Sequence, residues 1–225
     1  MRSGSTLLKA LLATADDVAH LPEIDFQKTL IQPKCLHELE RTASEPILLL
    51  KRPCWFNETK TYPRIPDLPP VRCIVLIRDA YETVRSVGRM LIGRSFDRLP
   101  GAWGYRWIAL RYWAPVTQSL LETHEARPSM SILTRYEALM EQPEEQTVRI
   151  FNFLGSEKTV GTRSYETPEN FRWKWGSDDG SARIRTKTVQ PPRTHTEKDL
   201  ALKAKINSLP PIQRLREKAG LTDYP

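Results

Sequence analysis

The feature that most constrains this chain is Val71-Arg72-Cys73-Ile74-Val75-Leu76-Ile77, a short and nearly continuous apolar run rich in β-branched residues. A strand buried on both faces has this character, and such strands belong to parallel sheets covered by helices. The run ends in Arg78-Asp79 and passes at once into a helical pattern over 80–93, with Val84, Val87 and Leu91 on one side. Arg78 therefore falls at the C-terminal end of a parallel strand, the edge at which open α/β sheets bind ligands. Ser86, eight residues on, stands two turns into the following helix. The two side chains can converge on one phosphate, the Arg through bidentate charge-assisted hydrogen bonds.

The start of the chain offers a second anion site. Met1-Arg2-Ser3-Gly4-Ser5-Thr6 leads into Leu7, Leu8, Leu11 and Leu12, which recur on one face at helical spacing and predict a helix over 5–15. Its first turn presents unpaired backbone N–H groups and two hydroxyls, those of Ser5 and Thr6, flanked by the charge of Arg2. Amides and helix dipole both favour an anion there. The turn follows the logic of a phosphate-binding loop but lacks the Gly-Lys-Ser/Thr ending of nucleotide triphosphatases. Taken alone, it reads equally well as an N-cap.

Between and beyond these features the pattern predicts strands over 46–51 and 129–135 and helices over 102–124, 143–154, 196–207 and 211–219, with Gly220 as a C-cap. Alternating strands and helices argue for a parallel sheet flanked by helices. No internal repeat is visible. From Gly155 to about Arg193 the periodicity is lost, and a loop that long inside one domain is a functional candidate. The length of 225 residues suits a single domain, 1–225.

No run is apolar enough to span a bilayer, and no signal peptide is recognisable. Cys35, Cys54 and Cys73 have no metal-ligand spacing and read as reduced thiols in a cytoplasmic protein. Nearly all of the net charge of +7 lies in 163–218, where thirteen Lys and Arg face seven Asp and Glu. No recognition helix, zinc finger or RNA-binding signature accompanies that charge, so nucleic acid is not the expected partner.

Arg2-Ser3-Gly4-Ser5-Thr6 opening a helix, then an apolar strand ending Arg78-Asp79 with Ser86 eight residues after the Arg, resembles the sulfotransferase family. A third stretch, Ser131-Ile132-Leu133-Thr134-Arg135-Tyr136-Glu137-Ala138-Leu139, is similar to that family's strand ending in Arg-Tyr-Glu-Asp-Leu. Pro143 to Gly155 is similar to its next helix. The matches run in order over 2–155, the expected cofactor-binding core, with 156–225 as a variable C-terminal segment. The resemblance implies a single P-loop-type α/β domain that uses 3′-phosphoadenosine 5′-phosphosulfate (PAPS) and releases PAP. It implies that the first loop grips the phosphosulfate, that Arg78 and Ser86 grip the 3′-phosphate, and that Tyr136 lies near the adenine. In the family a buried strand precedes the first loop and forms the middle of the sheet. The expected fold lacks that strand, because the sequence starts at Met1.

The resemblance also implies in-line transfer of a sulfuryl group to a hydroxyl or amine, with a base for the acceptor proton and no metal. Small-molecule sulfotransferases place a His two residues after a Lys at a strand end. Here the strand ends Lys51-Arg52-Pro53, so Pro53 stands at the His position. Tyrosylprotein sulfotransferases carry a Glu after the first helix and a Lys-Asp-Pro turn, and Glu23 and Lys51 match these positions. Glu23 is then the base, with Arg2 and Lys51 stabilising the transferring group. His20 is the nearest competitor, whereas His37, His124 and His195 have no supporting context. The helix carrying Trp103 and Trp107 reads as core packing. Trp173-Lys174-Trp175-Gly176, with Ser181, Arg183, Arg185, Lys187 and Arg193 nearby, is similar to the segment that folds over the cofactor, with Arg185 and Lys187 as candidate phosphate ligands. The acceptor, whether small molecule, glycan or peptide, is not specified by these matches. Two other functions use the same loop: a P-loop nucleotide kinase or phosphotransferase, and an inactive PAP-binding homologue.

Overall fold

In the computed structural model, which describes residues 3–20, 41, 44–51, 71–98, 102–166, 186–192 and 194–222, the apolar run is a strand with both faces covered. The first half of the chain contains α1 (Ser5–Leu12), β1 (Val18–His20), β2 (Ile47–Leu49), β3 (Cys73–Ile77) and α2 (Ala80–Ile92). A 3-10 turn over Gly93–Arg98, α3 (Trp103–Ile108), a π turn over Ala109–Trp113 and α4 (Ala114–Ala126) follow. Then come β4 (Ser131–Arg135), α5 (Tyr136–Glu141), α6 (Pro143–Leu154), α7 (Glu197–Asn207) and α8 (Pro210–Lys218).

The pairing is parallel, as the buried character of β3 demands. Cys73 stands opposite Ser131 and the register runs to Ile77 opposite Arg135, while Val18–His20 pairs with Ile47–Leu49. The sheet takes the form of two parallel pairs, and no strand joins them among the described residues.

Alternation along β3 divides the core. Val75 and Ile77 point into one cluster with Tyr81, Val84 and Val87 of α2, Tyr112 and Trp113 of the π turn, and Leu121 of α4. Leu76 points the other way, against Leu7, Leu8, Leu11 and Leu12 of α1, Leu139 of α5, and Ile150 and Phe151 of α6. Period-2 side-chain direction thus makes β3 the wall between two hydrophobic layers. The C-terminal helices belong to the first layer, to which they contribute Ile206, Ile212 and Leu215, with Leu221 just beyond.

Several boundaries differ from the sequence expectation for local reasons. α1 stops at Leu12, where the Thr14 hydroxyl donates to the Leu11 carbonyl at 2.7 Å and a tight turn delivers Val18 to β1. The helix expected over 102–124 is interrupted by the π turn immediately before Pro115. Proline has no N–H for the carbonyl four residues back, and the wider turn absorbs that mismatch. α6 ends on Gly155 at φ 74°, a left-handed residue that closes the last carbonyls. Gly220, at φ 65°, follows α8 in the same way. Between Gly155 and Glu166 and over 186–192 the only pairing among the described residues is an isolated antiparallel bridge, Ser164 to Thr188. No described helix is long and apolar enough to cross a membrane.

Candidate functional site

The first turn of α1 is shaped by one glycine. Gly4 is its N-cap at φ 89°, ψ 10°, with no side-chain cap bond. A Cβ on Gly4 would overlap Cδ2 and Cε2 of Tyr136. Glycine is therefore required twice over, by the left-handed backbone and by the ring packed against it. Ser5 and Thr6 follow in the first helical turn, and the Leu8 N–H closes it on the Gly4 carbonyl at 3.1 Å. Lys51, two residues past β2, donates from Nζ to Oγ1 of Thr6 at 2.9 Å. A lysine ammonium and the hydroxyl of the first turn thus meet at the N-terminal end of α1, where the macrodipole is positive. Two positive ends brought together in a partly buried place favour an anion between them.

Tyr136 connects this turn to Arg78. It opens α5 directly after β4, whose register with β3 sets Arg135 opposite Ile77. The Arg78 guanidinium lies 4.4 Å from the Tyr136 ring centroid, on the scale of a cation–π contact. The Arg78 carbonyl accepts a hydrogen bond from Nε1 of Trp113 at 2.8 Å, so the π turn holds the backbone of the strand end. An amino group of Arg78 donates to Oε2 of Glu82 at 3.1 Å, with each side chain 17% exposed. Tyr165 is buried beside Tyr136, and burial together with the neighbouring phenol pushes its hydroxyl up to about 12.

Gly4, Thr6, Lys51, Arg78 and Tyr136 are thus linked by contacts at the strand ends, with Ser3 and Ser5 next to Gly4 in the chain. Ser86 is half-buried on α2, four residues beyond Glu82 and on the same face. Lys187 sits apart in character: its backbone is left-handed at φ 57°, and its exposed ammonium pairs with Glu166 at 2.5 Å. Arg2, Glu23 and Arg185 lie outside the described residues, as do Trp173, Trp175, Ser181, Arg183 and Arg193.

Three acidic residues that the sequence reading left without a role organise the strand ends. Asp79, 1% exposed, caps α2 by accepting from the N–H groups of Tyr81 and Glu82 at 3.0 and 3.4 Å. Its other oxygen faces Nε of Arg216 at 3.3 Å and Nδ2 of Asn207 at 3.4 Å, which ties α7 and α8 to the start of α2. Glu137 accepts from the Asp79 N–H at 2.9 Å and so clasps the ends of β3 and β4. Although the residue as a whole is partly accessible, its second oxygen is buried without a hydrogen-bond partner among the described residues. Burial, opposed by the Asp79 N–H and reinforced by the Asp79 charge, pushes its carboxyl up to about 7. Glu82 is the third, through Arg78. An Asp just before a helix is a readable N-cap signal, and an acidic residue four places after Arg78 is a readable ion-pair signal. The Glu137 clasp depends on strand register and has no local signature.

Burial also pushes the Cys73 thiol up to about 11, which keeps it protonated and unreactive on β3. Comparison with known proteins finds no matching family model and no curated protein of significant similarity.

Proposed function

We propose that the chain is a sulfotransferase that takes PAPS as donor and transfers its sulfuryl group to an acceptor hydroxyl or amine. One observation carries the reading: the Gly4 turn and Arg78 both pack on Tyr136, and Lys51 joins the turn through Thr6, although they come from four separate stretches of sequence. The donor set suits a nucleotide with phosphate at both ends. One cationic point lies at a helix N-terminus, a second lies at a strand end, and an aromatic ring stands between them. The missing Cβ at Gly4 lets the Tyr136 ring lie directly on the turn.

PAPS supplies an activated sulfuryl group, and the bond that breaks is the one to its 5′-phosphate. The first-turn amides, the Thr6 hydroxyl and the Lys51 ammonium hold the phosphosulfate end and stabilise the charge that develops on the departing phosphate. Arg2 adds a cation to the same end. The Arg78 guanidinium, with Ser86 along α2, holds the 3′-phosphate, and Tyr136 lies beside the adenine. Glu23 takes the acceptor proton as the new bond to sulfur forms. None of these steps needs a metal.

Calorimetry with PAP tests the binding half of this reading. Arg78→Ala should weaken PAP by about 1.5–3 kcal/mol, the scale for hydrogen bonds to a charged group. Unchanged affinity in a folded Arg78→Ala protein refutes the assignment of the 3′-phosphate to this strand end.

A further inference from the structure

Glu82 stands between two basic groups from distant parts of the chain. Oε2 accepts from Arg78 at 3.1 Å, and Oε1 lies 3.3 Å from Nε2 of His195, in the segment that enters α7. The three side chains are 17%, 17% and 20% exposed, so the row is largely sheltered from water. The His195 ring packs at 64° to Tyr81, with centroids 6.1 Å apart. The helix that follows is fixed to α2 through a different residue. Asp199 accepts from the Tyr81 hydroxyl at 2.6 Å, faces Arg85 at 3.3 Å and completes a capping box with Thr196. His195 is therefore placed against Glu82 by an anchor that does not itself use Glu82.

We propose that Glu82 and His195 are positioning residues for Arg78, and that together they set how strongly the site prefers a nucleotide carrying a 3′-phosphate. This inference rests on the sulfotransferase reading, in which Arg78 takes that phosphate. A guanidinium is a planar fork of five donors, so fixing one amino group on a carboxylate orients the rest of the plane. Tyr136 fixes the plane from its face and Glu82 fixes its rotation. A carboxylate so close to an incoming phosphate also repels it, and a protonated imidazole beside the second carboxylate oxygen offsets that repulsion. His195 is that ring: its Nε2 stands 3.3 Å from Oε1, an ion-pair distance without hydrogen-bond geometry. The arrangement makes the entry to the C-terminal helices part of the nucleotide site without contact between His195 and the nucleotide.

The test is the ratio of PAP to 5′-AMP affinity, measured by calorimetry on the full chain, because AMP lacks only the 3′-phosphate. Arg78→Ala should reduce the ratio most. Glu82→Gln should reduce it roughly three- to tenfold and His195→Ala roughly two- to fivefold, with AMP affinity nearly unchanged. Adding His195→Ala to Glu82→Gln should cause no further loss, because His195 acts only through the carboxylate. Asp199→Asn removes the anchor that places His195 and should lower stability while reducing the ratio no further than His195→Ala does. If His195→Ala does not fold, His195→Gln, which fills the place of the ring but cannot be protonated, should lower the ratio to the same extent, and Glu82→Gln still decides the case. Equal weakening of PAP and AMP, an increase in the ratio for Glu82→Gln, or additive single effects overturns the proposal. If Arg78→Ala also leaves the ratio unchanged, the placement of the 3′-phosphate falls with it. A ratio lost in Arg78→Ala but kept in Glu82→Gln overturns this inference alone.

Discussion

Replacing Glu137 by Gln should convert a pH-dependent clasp into a pH-independent one. In the folded protein the carboxyl titrates near 7, against an ordinary value of 4.5, because it is buried beside Asp79. The native state therefore holds this proton over a range in which the unfolded chain has already released it. Between the two values the unfolded state binds fewer protons, so stability falls as pH rises from about 4.5 to about 7 and then levels off. At 1.36 kcal/mol for each pH decade between the two titrations, the loss amounts to about 2–4 kcal/mol. The amide introduced by Glu137→Gln cannot ionise, and its carbonyl can still accept the Asp79 N–H. Urea unfolding followed from about pH 5 to about pH 8 should show the wild type losing that amount relative to Glu137→Gln. The other displaced carboxylates do not interfere. Asp199 is raised by burial but drawn down to about 2 by the Tyr81 hydroxyl and Thr196, so its contribution is lost only in acid. Parallel stability curves for the two proteins would show that Glu137 is ionised throughout, and the clasp as described would be wrong.

Gly4→Ala forces a Cβ into the Tyr136 ring at a left-handed backbone position. It should cost about 1–3 kcal/mol in unfolding free energy and weaken PAP together with it, as read by urea titration and calorimetry. Glu23→Gln, if Glu23 takes the acceptor proton, should lower turnover by about 10²–10⁴-fold while PAP affinity stays level. Full turnover in that variant would move the base elsewhere, with His20→Ala as the next substitution.

How far the sequence carried the fold depends on periodicity. The helices α1, α2 and α6 announce themselves through a period of 3.6, and β3 and β4 through short apolar runs of strand length. Val18–His20 and Tyr136–Glu141 do not, because three or six residues cannot display a period, and both exist through tertiary pairing and packing. The π turn was hidden inside a convincing helical pattern, and Pro115 was its only local trace. The division of the sheet into two pairs follows from strand pairing across 29 or more residues, which no local pattern encodes.

The site was legible to the same extent. Gly4, Thr6 and Arg78 could be named from a turn or a strand end, because those places dictate chemistry by their position in an α/β unit, whereas Lys51 and Tyr136 were named through the resemblance to sulfotransferases. Their mutual contact came only with the structure. His195 shows the limit most clearly, since nothing around it in sequence suggests Glu82 as a neighbour, and 113 residues separate the two.

The central claim is chemical, and sulfuryl transfer tests it most directly. The full chain would be incubated with PAPS labelled in the sulfuryl group and a panel of phenol, alcohol and amine acceptors, and the acceptors and PAP followed by mass spectrometry. The account predicts labelled acceptor and PAP in equal amounts, with both much reduced in Lys51→Ala, which retains the Arg78 end of the site. Intact PAPS across the panel, together with phosphoryl transfer from ATP and magnesium to the same acceptors, would contradict it.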